Sequence, residues 1–533
     1  MDTITYDYVV IGAGSAGCVL ANRLSADGTT TVALLEAGAR DWNPWIHVPV
    51  GYFKTIHNPA TDWCYVTEPD PGLNGRSLKW PRGKVLGGSS SINGLLYVRG
   101  QRQDYDRWAE LGCSGWSYDD VLPYFKRAEH QSRGANEFHG TDGPLRVSDM
   151  TFKRPICDDF INGVQQLGTP RNDDINGEDQ EGVGYFQLTA NKGRRCSSAV
   201  AYLKSARSRP NLTIITHAMV HRIGFEQQHA RDVHLQRKGV PMRISARKEI
   251  ILSAGAIGSP QLLECSGVGA ALRLQQLGIE LIADSPEVGE NLQDHLQIRA
   301  VYKTRLPVTL NDELSNPLQK VRAGLQYMLN RTGPLSMAAS QVYAFCRTRL
   351  ANERPDIQYH FQPLSADSPG EGLHPFSAIT ASVCQLRPES RGSVHIKSPD
   401  AQTHPIITPN YLSTDLDCQT AIEAVRFTRA IMQSDAMKDH IAEEMLPDPA
   451  ATTDEQLLDQ ARSIANTIYH PTSTCRMGND KLAVVDPRLR VNGVTGLRVV
   501  DASVMPEIVS GNTNAPTIMI AEHAADMIIR DHQ

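Results

Sequence analysis

The apolar positions come in short runs whose period changes along the chain. Tyr8, Val9, Val10 and Ile11 are consecutive, as in a strand buried on both faces of a parallel sheet. A glycine-rich turn over residues 12–17 follows. Val19, Leu20 and Leu24 then fall on one face of a helix. Thr31 to Leu35 form a second apolar run that stops at Glu36, so residues 6–36 read as one strand–helix–strand unit. Residues 211–225 and 247–260 return to strand-then-turn patterns, and 496–530 read as strand, loop and long helix. Between about 300 and 460 the pattern alternates, as in Asp356–Phe361 and Ser393–Ile396, which predicts an antiparallel sheet. Residues 40–80 carry five prolines and clustered Trp42, Trp45 and Trp63. They read equally as a cover over a ligand and as a surface excursion.

The fold class expected is therefore α/β: a Rossmann-like nucleotide-binding domain that opens and closes the chain, with an inserted α+β substrate domain on an antiparallel sheet. The expected division gives 1–155, 201–300 and 461–533 to the nucleotide-binding part. It gives 156–200 and 301–460 to the substrate part. At 533 residues the chain is too long for one ordinary core.

Composition narrows the function classes. The net charge of −6 shows no basic excess, so no nucleic-acid partner is expected. The ten cysteines form no CxxC pair and no metal spacing, so reduced thiols and no metal are expected. No basic n-region precedes an apolar stretch, and no apolar run reaches about 18 residues. The expectation is a cytoplasmic protein. Peripheral membrane contact stays open, and oligomeric state is not legible.

Four segments carry chemistry. Gly12-x-Gly14-x-x-Gly17 with Glu36 has the geometry of a dinucleotide site: a tight turn, a close approach for pyrophosphate, and an acid for ribose hydroxyls. It does not separate FAD from NAD. Arg82 to Gly94 is rich in glycine and hydroxyls but is not a Walker loop, because Val85 follows Gly83-Lys84. Tyr469-His470-Pro471 places a histidine on a loop, where it can serve as a general base or be only a satisfied side chain. Gly511 to Thr517 opens a helix, with Asn514 a candidate N-cap and Pro516 in the first turn.

These four segments, in this order, resemble the glucose–methanol–choline (GMC) oxidoreductases. Leu35–Gly38, Ser253–Pro260, Val288–His295 and Val500–Ser503 fit the same family. Within it the chain is most similar to choline-dehydrogenase-like alcohol dehydrogenases. The resemblance implies FAD as cofactor. Gly12, Gly14, Ser15, Ala16 and Gly17 would lie at the pyrophosphate, and Glu36 with Ala37 at the adenosine ribose. Arg82, Gly83, Val85, Gly87, Gly88, Ser91, Asn93 and Gly94 would run past the diphosphate and the flavin ring. Val220, Ala254, Tyr469, Asp501, Ala502, Asn512 and Thr517 complete the implied cofactor set. His470 matches the catalytic histidine, with Asn514 as its implied partner. Ile92 stands where some members attach FAD through a histidine, so non-covalent FAD is implied.

The implied reaction is oxidation of an alcohol, expected to be primary, to the aldehyde. A proton passes to His470 and a hydride to flavin N5, with electrons then going to a quinone or other acceptor. Rival readings are an oxidase using oxygen, a lyase or photodecarboxylase on the same scaffold, and an NAD(P) dehydrogenase. A hydrolase lacks its G-x-S-x-G or H-E-x-x-H motif here.

Overall fold

The structure is a computed structural model that describes residues 4–367 and 372–533. Two seven-stranded sheets organise it. The first runs in the order Leu212–Thr216, Val32–Glu36, Ile4–Ile11, Val240–Leu252, His229–Arg237 and Ala218–Glu226, with Leu497–Val499 added beside Val240–Leu252. Its core pairs are parallel: Val9 lies opposite Ala33 on one side and Ile250 on the other. All of Val32 to Glu36 is buried, as continuous apolar runs in a two-sided sheet require. The strand Val240–Leu252 joins the parallel and antiparallel parts of this sheet. Its first half pairs antiparallel with His229–Arg237, and its second half pairs parallel with Ile4–Ile11.

Helix Ser15–Leu24 leaves the first strand and packs under the last helix, Asn514–Asp531. Glu522, fully buried, joins them by accepting from Arg23, Arg127 and the Tyr202 hydroxyl. The two ends of the chain thus meet around one nucleotide-binding sheet.

The second sheet has the order Ile441–Leu446, Leu296–Thr304, Ala378–Gln385, Ile357–Gln362, Val342–Cys346 and Gly182–Tyr185, all antiparallel. Its alternation sorts the side chains. Ile298, Ala300, Ile357, Tyr359 and Phe361 enter a core shared with helices Pro155–Gln166 and Asp415–Gln433. Gln297, Arg299, His360 and Gln362 point the other way and line a cavity. Leu296–Thr304 begins inside the stretch assigned above to the nucleotide-binding part, and Asn466–Thr467, which pairs with it, lies beyond 460. Ser393–His395 does not join this sheet. It forms a separate ribbon with Ile406–Thr408. In the proline-rich stretch, Tyr52, Ile56, Trp63 and Tyr65 face the same cavity, so this segment covers it. All ten cysteines are free thiols, most of them buried. Among the described residues, no helix is long and apolar enough to cross a membrane.

Candidate active site

A cavity of about 320 Å³ runs from the first sheet to the polar face of the second. Its nucleotide end is shaped by close backbone approach. Gly17 lies so near the first strand that a Cβ there would sit 1.9 Å from the Gly12 carbonyl oxygen. A Cβ on Gly14 would meet nothing within 4 Å, because that position faces the cavity. Glu36 ends the second strand, and its carboxylate accepts from the Ala13 and Gly38 amides at 3.0 and 2.8 Å. Two acceptor oxygens retain lone pairs for further donors. Burial raises its pKa to about 7 against the pull of those two amides. Across the cavity Asp501 accepts from Gly255 N–H and from the Ser259 and Ser503 hydroxyls. The last helix starts at Asn514 with no side-chain cap, and Thr513, Asn514 and Thr517 line the wall there.

The other end is built on histidines. His470 sits on a turn between Tyr469 and Ser473, both with left-handed backbone (φ 71° and 75°). Asp294 holds that turn by accepting from the His470 amide at 2.7 Å and the Thr467 hydroxyl at 2.6 Å. The His470 ring stands edge-on to His295, with the two Nδ1 atoms 3.0 Å apart. His295 Nε2 lies 2.9 Å from the Leu386 carbonyl, and His470 Nε2 lies 3.0 Å from Asn512 Nδ2.

The tautomers follow in order. A carbonyl only accepts, so His295 carries its proton on Nε2 and offers a lone pair at Nδ1. His470 then donates from Nδ1, which leaves the lone pair on Nε2. Asn512 Oδ1 accepts from Gln358 Nε2 at 3.4 Å, which turns the Asn512 amide N–H toward His470. Burial holds both rings neutral. It lowers the pKa of His295 to about 4 and that of His470 well below the usual histidine range, with His295, His360 and Arg82 adding to the second shift.

Two family models, both of GMC oxidoreductases, match residues 6–297 and 388–521. The chain belongs to the GMC oxidoreductase family. It is 44% identical to the alcohol dehydrogenase [acceptor] of Pseudomonas putida over 98% of this chain and 96% of that one. It is also 44% identical to the mitochondrial choline dehydrogenase of Homo sapiens, over 98% of this chain and 89% of that one. A formate oxidase of Aspergillus oryzae, solved in work on its FAD modification, superposes with a TM-score of 0.93 at 27% identity, covering 100% and 99% of the two chains. The protein is an FAD-dependent oxidoreductase acting on CH–OH donors.

The GMC cofactor fits the residues present. The Cβ-free cradle at Gly14, the spare acceptor capacity of Glu36 and the uncapped helix start at Asn514 suit pyrophosphate, ribose and an electron-rich ring in turn. Most of the residues expected around FAD line the cavity, namely Gly12, Gly14, Ser15, Ala16, Glu36, Ala37, Arg82, Gly83, Gly88, Asn93, Gly94, Val220, Ala254, Tyr469, Asp501, Ala502, Asn512 and Thr517.

Gly17, Val85, Gly87 and Ser91 do not line it. They back the wall: Gly87 N–H bonds the Ala13 carbonyl, the Ser91 hydroxyl bonds the Leu86 carbonyl, and Val85 is fully buried. The partner expected for His470 is also corrected. Asn514 Oδ1 accepts from the Ser15 hydroxyl at 2.7 Å, on the side of the first helix, and it is Asn512 that meets His470. Two residues on a turn entering a helix point in different directions, so the one inside the helix start faces its neighbour helix. Sequence reasoning missed His295, Asp294, His360 and Arg299 as site residues. The first two lie in the quoted segment Val288–His295, but only the tertiary fold shows that they grip His470.

Proposed function

We propose that the chain oxidises a primary alcohol to the aldehyde, with His470 Nε2 as the proton acceptor and FAD held non-covalently. The observation that carries this reading is the chain of hydrogen bonds from Leu386 through His295 and His470 to Asn512. It leaves one basic nitrogen at the cavity wall, with a rigid amide donor beside it. An alcohol O–H takes the place of the Asn512 amide at Nε2, and that amide N–H then donates to the alcohol oxygen. His470 removes the proton while Asn512 holds the oxygen in place. Bound FAD supplies the hydride acceptor. His295 keeps the His470 ring in the tautomer that can accept, and Asp294 fixes its backbone.

Ile92 has no nucleophile to bond the flavin, which supports non-covalent attachment. The acceptor is proposed to be a quinone or other carrier, supported by similarity to an alcohol dehydrogenase named for an acceptor. The test is anaerobic titration of the FAD-loaded protein with a panel of primary alcohols in the dark, following visible absorbance. Bleaching by an alcohol supports the reading, and re-admitted air or a quinone then identifies the acceptor. A flavin spectrum that no alcohol bleaches refutes it.

A further inference from the structure

On the second sheet, strand register places Arg299, Ser382 and His360 in one row across three adjacent strands. Directly opposed residues point to the same face, so all three face the cavity side. Arg299 is 6% exposed and lines the cavity. Among the described residues it forms no ion pair, and its one hydrogen bond is a long 3.5 Å contact to the Ala366 carbonyl. The Ser382 hydroxyl and His360 Nε2 are buried and have no hydrogen-bond partner among the described residues. A buried guanidinium without a counter-charge, beside two orphaned polar atoms, is costly unless a ligand completes it.

We propose that this row is the receptor for a carboxylate carried by the alcohol substrate. The guanidinium fork matches the two oxygens of one carboxylate, and His360 lies beside it on the same cavity wall. The acids that line the cavity, Glu36 and Asp501, belong to its nucleotide end. A cationic alcohol such as choline therefore finds a like charge and no carboxylate at this wall.

The position sets the substrate's length. Arg299 lies four residues, about 13 Å of extended chain, beyond His295, whose ring meets His470. A hydroxyl at His470 and a carboxylate at Arg299 thus need a spacer of several carbons. The site is an ω-hydroxycarboxylate site. Its identity as a substrate site, though not its ability to bind an anion, rests on the alcohol-oxidation reading.

The test uses FAD-loaded protein, anaerobic and dark. Hexanoate, which cannot be oxidised as an alcohol, is titrated while the flavin spectrum is followed. A saturable perturbation is expected, weakened about tenfold or more in Arg299→Gln and partly recovered in Arg299→Lys. Flavin reduction is then compared for ω-hydroxyhexanoate, hexanol and choline. The hydroxy acid should exceed hexanol in kcat/KM by roughly ten- to a hundredfold, through KM, and Arg299→Gln should erase the difference. Choline should be the poorest. The proposal is overturned if hexanoate has no effect, if it acts equally on Arg299→Gln, or if the hydroxy acid is no better than hexanol. Reduction by hexanol without hexanoate binding would sink the carboxylate site and leave alcohol oxidation standing. Hexanoate binding through Arg299 with no alcohol reducing the flavin would do the reverse.

Discussion

At the scale of single residues, two asparagines two positions apart have separate duties. Asn512 meets His470, and Asn514 ties the last helix to Ser15. Asn512→Ala is expected to slow flavin reduction by roughly ten- to a hundredfold, the worth of one to two hydrogen bonds to a developing charge. Asn514→Ala should leave that rate within about threefold and show its effect in flavin retention, measured as the ratio of visible to protein absorbance. The opposite pattern would return the catalytic role to Asn514. The pH dependence follows from the buried ring. As the proposed base, His470 would work deprotonated, so activity should be lost as pH falls through its pKa, and burial sets that pKa below the usual value of about 6.5. The rate of flavin reduction should be flat upward from about pH 6.5, and an acid limb centred above about pH 7 would contradict this. The loop alone left His470 open between a base and a satisfied side chain, and the family resemblance singled it out. The Asn512 pairing was not legible, because spacing on a turn has no period from which direction can be read.

At the scale of elements, the glycines of the first turn divide into packing and binding positions. Gly17→Ala forces a methyl against the Gly12 carbonyl and should destabilise the protein by about 1–3 kcal/mol even without FAD. Gly14→Ala meets no protein atom within 4 Å, so the fold should hold while flavin retention falls. Thermal melts of FAD-free protein and flavin content together separate the two, and equal loss of stability in both would contradict the assignment. This unit was the most legible part of the sequence, since buried parallel strands print as unbroken apolar runs. The second sheet was legible only as an alternation. Alternation along one strand puts Gln297 and Arg299 on one side, but only pairing across strands brings His360 beside them and decides what they face.

At the scale of the molecule, the cavity lies between sheets assembled from distant stretches of chain, and the ends of the chain close it. A cofactor filling that space stabilises the folded state by mass action, about 2.7 kcal/mol when free FAD is a hundredfold above its dissociation constant. Melting temperature should rise with added FAD in protein stripped of flavin. No shift would mean that the cavity does not hold it. The interleaving of the two sheets was readable as a nucleotide fold that opens and closes the chain. The strand boundaries near 296 and 466 were not: Leu296–Thr304 is buried on both faces and shows no alternating burial, and Asn466–Thr467, at two residues, is too short to show a period.

The most direct test of the central claim is a rapid-mixing measurement of flavin reduction by a primary alcohol under anaerobic conditions, comparing the wild type with His470→Ala. The account predicts that the variant keeps its FAD and loses the rate by roughly a hundred- to ten-thousandfold, the usual contribution of a positioned base. A variant that holds FAD and reduces it at nearly the wild-type rate would show that the proton leaves by another route.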